Sequence, residues 1–128
     1  MKGYTVRAAG SGSSNLPNAP ADLSPGAVDP SKMTHVEWVD GKVHETGFTT
    51  TFAPNSSVVF SGYDVDFISA TETNAGDTYA AVTSRSYHTT GVNVLLMDGS
   101  VRFVRNSVSS ATWRALGTRA SNTVVGDF

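Results

Sequence analysis

The clearest hydrophobic pattern in the chain lies in residues 93–104, where two short apolar runs flank Asp98-Gly99. Asp-Gly between alternating apolar residues predicts an antiparallel β-hairpin, because both turn residues need a positive φ that only Gly, Asn and Asp adopt at low cost. If Asp98 and Gly99 are the two turn residues, one face of the hairpin carries four apolar side chains that we expect to pack on a core. These are Val94, Leu96, Val101 and Phe103.

A second Asp-Gly pair, Asp40-Gly41, joins two runs within residues 35–52 and predicts another hairpin of the same design. In that register Trp38 faces Val43 across the two strands. We expect Trp38 to anchor this hairpin.

Further strands follow from shorter patterns. Residues 63–67 alternate strictly between apolar and acidic positions, which predicts a strand with Asp64 and Asp66 together on a solvated face. Weaker signals predict strands at residues 1–7, 57–60 and 79–83, a polar turn at 71–77, and an edge strand in the tail at 122–128.

Residues 107–116 contain the only convincing helical pattern. Ser109 or Ser110 can cap its first turn, and Gly117 ends it. Trp113 and Leu116 recur three residues apart, so we expect the helix to pack through them.

Residues 8–32 are rich in Gly, Ser, Asn and Ala and contain four of the five prolines. No core-forming periodicity survives there, so we predict an extended, loop-rich segment over residues 1–32 and a β-rich globular domain over 33–128. The expected fold class is mainly β (α+β): an antiparallel, sandwich-like head with one short C-terminal helix.

Composition narrows the classes of function. The net charge of −2 gives no electrostatic basis for binding nucleic acid, although residues 1–84 are acidic on balance and residues 85–128 are basic. The absence of cysteine excludes disulfides and thiolate metal sites. No stretch approaches the roughly 20 apolar residues that span a bilayer, so we expect no membrane span.

Two kinds of metal site can be considered. The histidines, His35, His44 and His88, are too far apart in sequence for a structural zinc motif. Oxygen ligands for calcium are available from Asp64, Asp66 and Asp77, with Glu72 and Asn74 beside them, but the segment lacks the EF-hand pattern. We therefore expect no cofactor, and keep calcium as the alternative at those three aspartates.

Enzymatic activity is not expected. Ser84, Ser86, His88 and Asp98 include the residue types of a hydrolytic triad, yet an extended strand would hold His88 and Asp98 about 30 Å apart at about 3.3 Å per residue. The aromatic residues suggest a different alternative, an extracellular carbohydrate-binding module with a sugar-stacking platform and a glycan as its partner. They are Trp38, Tyr63, Tyr79, Tyr87, Phe103 and Trp113.

His88 is followed by nine residues and then Asp98-Gly99. With the SVRFV and ATWRALGTRA segments after it, this spacing closely resembles the C-terminal signature of bacterial prepilin-like surface proteins that carry the prepilin-type processing-associated H-x9-D-G domain. The segment HVEWVDGKVHETGFTTTFAPN is similar to the upstream block of that family, so the resemblance covers roughly residues 33–128.

The resemblance implies a type IV pilin or secretion-pseudopilin architecture, in which an apolar helix processed by a prepilin peptidase precedes a β-rich head. That helix is missing from this sequence, so we expect the chain to be the C-terminal part of a longer protein. The family supplies no catalytic role for His88, Asp98 and Gly99. We interpret Asp98 and Gly99 as setting the hairpin register, and His88 as fixing the start of its first strand by donating to a backbone carbonyl.

The expected function is therefore that of a non-enzymatic bacterial protein of the cell envelope or extracellular surface. It would act in secretion, a surface filament or adhesion, and its expected partners are other pilin-like subunits or cell-envelope components.

Overall fold

The computed structural model describes residues 6–10, 17–23, 25–68 and 80–119. These residues form a mainly β fold with one short α-helix, as the sequence predicts. The strands are β1 (Val6–Gly10), β2 (Pro25–Met33), β3 (Val59–Phe60), β4 (Tyr63–Ile68), β5 (Ala80–Ala81), β6 (Gly91–Leu95) and β7 (Val101–Arg105). A 3-10 turn covers Pro20–Asp22, and the helix α1 covers Ser110–Leu116.

The larger sheet has five strands in the order β2-β1-β4-β3, with β5 also paired to β4. Strands β1 and β4 run parallel, whereas the other pairs in this sheet are antiparallel. Apolar side chains of β4 and its neighbours form the core of this sheet. They are Leu23, Phe52, Val58, Val65, Phe67 and Ala81.

Strands β1 and β2 correct the expectation of an extended loop over residues 8–32. The pairing of β1 with β2 changes register twice along its length, so no regular alternation marks either strand in the sequence. Strand β2 also contains Pro25 and Pro30, which a strand at the edge of a sheet tolerates. It runs across the predicted boundary between residues 32 and 33, and the division into two segments stays a prediction.

Strands β3 and β4 are joined by a tight turn that was not among the turns predicted from the sequence. Ser61 and Gly62 both have positive φ, 50° and 81°, and Phe60 pairs with Tyr63. Positive φ at both central residues is the signature of a two-residue type I′ hairpin turn. The strict alternation after this turn forms β4, as predicted.

Strands β6 and β7 form the hairpin predicted around Asp98-Gly99, as a separate two-stranded sheet. The loop is one residue longer than expected: Leu95 pairs with Val101, and the Gly99 N–H donates to the Leu96 carbonyl at 3.0 Å. Gly99 has a φ of 84°, whereas Asp98 does not have a positive φ. This pattern fits a three-residue loop that ends in a glycine bulge.

The extra loop residue reverses the faces of β7 relative to β6, because the side-chain period of a strand is two residues. The predicted buried face was wrong for Val101 and Phe103 on β7, whereas Val94 on β6 does face the core. Val92 and Val104 are buried instead, with Val94 packed against them, whereas Val101 and Phe103 are exposed.

Helix α1 confirms the predicted helix and both of its ends. The Ser109 side chain accepts a hydrogen bond from the Thr112 N–H, and Gly117 is the C-terminal cap. Trp113 is buried beside Val92 and Val104, and Leu116 packs against the same cluster. The Trp113 indole also donates to the Phe52 carbonyl at 2.8 Å, which links the helix to the core of the larger sheet.

The hairpin predicted around Asp40-Gly41 does not form, because residues 34–48 contain no strand. This segment folds as successive turns, in which the Asp40 N–H donates to the Glu37 carbonyl at 3.1 Å. Trp38, expected to anchor a hairpin, is 86% exposed.

Several sequence predictions lie outside the described residues. They are the first five residues of the predicted strand at 1–7, the polar turn at 71–77, Tyr79 and the tail at 122–128. Within the described residues, no helix is long and apolar enough to cross a membrane.

Candidate functional site

A buried carboxylate lies at the centre of a polar network that joins three segments of the described chain. Asp66 on β4 is fully buried. Its two oxygens accept hydrogen bonds from the Thr34 hydroxyl at 2.7 Å and from the Thr83 N–H at 3.2 Å. A buried charge of this kind is stable only when it is paired and hydrogen-bonded.

Arg85 supplies one positive charge to the network. Its guanidinium donates twice to the Asp64 carboxylate, at 2.9 and 3.3 Å, and approaches an Asp66 oxygen at 3.6 Å. Arginine suits this position because its planar fork can hold two oxygens of one carboxylate while its charge reaches a second carboxylate.

His35 supplies the second positive charge. Its Nδ1 lies 3.0 Å from the Glu45 carbonyl, and its Nε2 lies 3.4 Å from an Asp66 oxygen. Both neighbours are acceptors, so the imidazole satisfies both only when it is protonated. The hydrogen bond and the charge of Asp66, with the Glu45 carbonyl, raise the pKa of His35 above 6.5, against the opposing effects of burial and of Arg85.

The pKa of Asp66 shifts in the opposite direction. Burial, the largest single influence, would raise this pKa. Hydrogen bonds from His35, Thr34 and the Thr83 N–H, together with the charge of Arg85, outweigh burial and hold the pKa below 3.8. Asp66 is therefore ionised in the folded protein across the neutral range, with Arg85 as a permanent counterion and His35 as a second one whenever the imidazole is protonated.

The expectation of a solvated face at Asp64 and Asp66 was wrong for Asp66. The two side chains do lie near each other, but they bind a guanidinium. Asp77, the third candidate calcium ligand, lies outside the described residues. No group of three or more metal-ligating side chains occurs in the part of the chain that the structure describes.

The H-x9-D-G residues occupy the two ends of β6. Asp98 lies in the hairpin loop, where its Oδ1 accepts from the Ser100 N–H at 2.9 Å and from the Ser100 hydroxyl at 2.7 Å. These two hydrogen bonds lower the pKa of Asp98. His88 is exposed, and its backbone N–H donates to the Ser86 hydroxyl at 3.1 Å.

The His88 imidazole makes no hydrogen bond to another described residue, so the carbonyl contact expected for it is not seen. Two asparagines hold the start of β6 instead. Asn55 accepts from the Ser86 N–H at 2.8 Å and donates to Asn106 at 2.9 Å, while Asn106 donates to the Thr89 carbonyl at 2.9 Å.

Sequence reasoning missed both asparagines, and also Arg85 and His35 as counterions of Asp66. One local signal was available, because Asn55 has a φ of 57°, a conformation that Asn favours, and it follows a proline. Its partner Asn106 is 51 residues away, and no short-range pattern connects the two.

A cleft of about 440 Å³ separates residues 48–50 from the loop end of the hairpin at 94–97 and from the end of α1. Trp113 at its base stacks on Phe48 with ring centroids 6.1 Å apart. Because Trp113 is buried and its N–H is occupied by Phe52, this ring cannot join the sugar-stacking platform considered above. Among the described aromatic side chains, Trp38 and Tyr87 are the most exposed.

The described residues thus define a β-rich domain whose polar network supports its loops and whose exposed side chains include large apolar ones. Residues 7–111 match the profile of the family described as "Protein of unknown function (DUF1559)", and the chain belongs to this family. The family is associated with prepilin-type surface proteins. No curated protein and no solved structure shows a significant match to the chain.

Proposed function

We propose that this chain is the globular head of a non-enzymatic, pilin-like protein of the bacterial cell envelope. The observation that carries the proposal is the family match over residues 7–111, because that family is associated with prepilin-type surface proteins. The H-x9-D-G spacing of His88, Asp98 and Gly99 supports the same assignment.

The geometry of the polar residues supports a structural role for them. Asp64 and Asp66 are engaged by Arg85, and Asp98 is engaged by Ser100 within its own turn. A general base or nucleophile needs an accessible position beside a reacting group, which the fully buried Asp66 lacks.

The finer role is that of a subunit that presents its surface to other subunits or to envelope partners, in a surface filament, a secretion pseudopilus or adhesion. Exposed apolar side chains suit such contacts, since large apolar patches on a soluble domain commonly mark interaction sites. Trp38, Leu95 and Met97 are among the most exposed of these side chains.

Fractionation of native cells tests the proposal. An antibody raised against the purified chain should detect the protein in envelope or sheared-surface fractions, and deletion of the prepilin peptidase should remove it from the sheared fraction. A protein confined to the cytoplasm, with a distribution that does not depend on the peptidase, would contradict the assignment.

A carbohydrate-binding module is the second candidate, because Trp38 and Tyr87 are 86% and 93% exposed and can offer a ring face to a sugar. A glycan array probed with the purified chain separates the two functions. Binding that is lost in Trp38→Ala or Tyr87→Ala would favour the module, whereas a blank array would favour the pilin-like head.

A further inference from the structure

Two patches of exposed apolar side chains lie on different segments of the described chain. The first, the hairpin patch, lies on the outward face of β6 and β7 and at their loop. It consists of Leu95, Met97, Val101, Phe103 and Arg105. The second, the loop patch, consists of Val36, Glu37, Trp38, Val39 and Asp40.

The hairpin patch is a consequence of the observed register. Leu95 pairs with Val101, so these two side chains share the face opposite to the buried Val92 and Val104, and they are 71% and 65% exposed. Arg105 pairs with Gly91 on the same outward face. Apart from Asn93, this face is an apolar strip with a cation at its end, which is an unusual surface for a strand pair that faces only water.

The loop patch is held in a fixed conformation. The Glu45 carboxylate accepts from the N–H groups of Val36 and Glu37, both at 3.0 Å, and the His35 N–H donates to the His44 carbonyl at 2.9 Å. The His35 side chain also contacts the buried Asp66. Trp38 is therefore presented by an ordered turn, which lowers the entropy cost of binding through it.

The two patches carry opposite charges. The loop patch carries Glu37 and Asp40, of which Asp40 is paired with Lys42 at 2.6 Å, whereas the hairpin patch carries Arg105. Glu37 and Arg105 are both exposed, and their side chains make no hydrogen bond or ion pair with another described residue. Contacts between two loop patches, or between two hairpin patches, would bring like charges together.

We propose that the loop patch of one copy of this chain binds the hairpin patch of a second copy, head to tail. Apolar contact between Trp38 of one copy and the Leu95 and Val101 side chains of the other would supply the attraction. Glu37 opposite Arg105 of the other copy would set the orientation. Because this contact joins two different surfaces, a dimer still has one unbound loop patch and one unbound hairpin patch. Further copies can therefore add to it and form a ring or an open filament.

This inference deepens the proposed function, on which it rests for its biological meaning as a contact between subunits. Each patch consists of five residues, fewer than the roughly 20–30 a side of a standard interface, so we expect association that becomes measurable only at about 100 μM.

Sedimentation velocity of the purified chain tests the contact by mixing two variants. Wild-type protein should form species larger than a dimer as its concentration rises, whereas Trp38→Ser and the double variant Leu95→Ser/Val101→Ser should each stay monomeric. An equimolar mixture of the two should form a dimer and nothing larger, because each variant keeps one half of the contact. A monomeric wild type, or a mixture that stays monomeric, would overturn the inference.

Charge reversal tests the orientation. Glu37→Arg and Arg105→Glu should each weaken association at least tenfold, and the chain that carries both should regain most of it. Failure of the double reversal to restore association would overturn the pairing of these two residues.

Matched controls lie outside both patches. Val59→Ser on β3 and Tyr87→Ser alter side chains that are also strongly exposed, and both should associate like the wild type. Unchanged melting temperatures would show that the variants are folded. A monomeric chain in a protein found at the cell surface would overturn only this inference, whereas self-association of a cytoplasmic protein would overturn only the proposed function.

Discussion

Replacing Asp66 with asparagine tests the buried charge network. The amide keeps the shape of the side chain, and its oxygen can still accept from the Thr83 N–H. Its nitrogen, however, would face the Nε2–H of His35 or the hydroxyl of Thr34, and Arg85 would lose one of its two anions. Removing one partner of a buried ion pair costs about 3–5 kcal/mol.

The lower end of that range applies here, because the His35 side chain is 33% exposed and Arg85 keeps its two hydrogen bonds to Asp64. We expect a loss of about 3 kcal/mol in the free energy of unfolding, which lowers the melting temperature by about 10 °C in a domain of this size. Thermal denaturation followed by circular dichroism measures it. Asp40→Asn is the control, since its exposed ion pair with Lys42 should matter little.

The same network makes the free energy of unfolding depend on pH, and the pKa shifts of His35 and Asp66 give the direction of that dependence. The pKa of His35 is raised on folding, so its stabilisation is complete below its ordinary pKa of 6.5 and is lost as the pH rises through the folded pKa. The pKa of Asp66 is lowered on folding, so its stabilisation is complete above 3.8 and is lost as the pH falls through the folded pKa.

The network should therefore contribute most between about pH 4 and 6.5, and stability should fall on the alkaline side of that window. His35→Asn, which tolerates the φ of 61° at this position, should abolish the alkaline decline. The reasoning is refuted if Asp66→Asn costs no more than Asp40→Asn, or if His35→Asn leaves the pH dependence unchanged.

Three further predictions concern glycines and calcium. Gly91→Ala should destabilise the fold by about 2 kcal/mol in urea denaturation, because a Cβ there would overlap the Val104 carbonyl oxygen. The control, Gly41→Ala, has open space around it and should be nearly neutral. Gly99→Val should cost more than about 1 kcal/mol, because it forces a β-branched residue to a φ of 84°, and a wild-type melting temperature would contradict the turn assignment. Added calcium should leave the melting temperature unchanged, because the Asp64 carboxylate is already bound by a guanidinium; a rise of several degrees would refute this.

Turn chemistry predicted the hairpin around Asp98-Gly99, but left its register open. Two-residue and three-residue loops both favour a glycine at this position, and the difference between them moves the side chains of β7 to the other face relative to those of β6. The choice depends on burial of Val92 and Val104 against Trp113, a contact with a helix that follows later in the chain. Local sequence does not contain that information.

The failed hairpin around Asp40-Gly41 has a different cause. The Glu45 carboxylate binds the N–H groups of Val36 and Glu37, which a strand would need for its ladder. A side chain that binds backbone groups in this way competes directly with sheet formation. The alternation of apolar and polar residues therefore predicted a strand, but the hydrogen bonds of Glu45 hold the segment in turns instead.

The candidate site was predicted only in part. Strict alternation placed Asp64 and Asp66 on a common side of β4. The cations that bind them come from segments distant in sequence, because His35 precedes β4 by almost thirty residues and Arg85 follows it by seventeen or more. Pairing across such distances depends on the sheet order, in which β1 and β2 also take part. Those two strands carry little regular pattern, so the burial of Asp66 could not be deduced.

Labelling of intact cells tests the central claim, outward display of this head, most directly. This 128-residue chain contains no cysteine, so Tyr87→Cys supplies a thiol at an exposed position outside both patches, and Val65→Cys supplies a buried one. A membrane-impermeant maleimide should label the cysteine at position 87 on intact cells and leave the one at position 65 unlabelled until the protein is unfolded. Labelling at position 87 only after cell lysis would contradict the account.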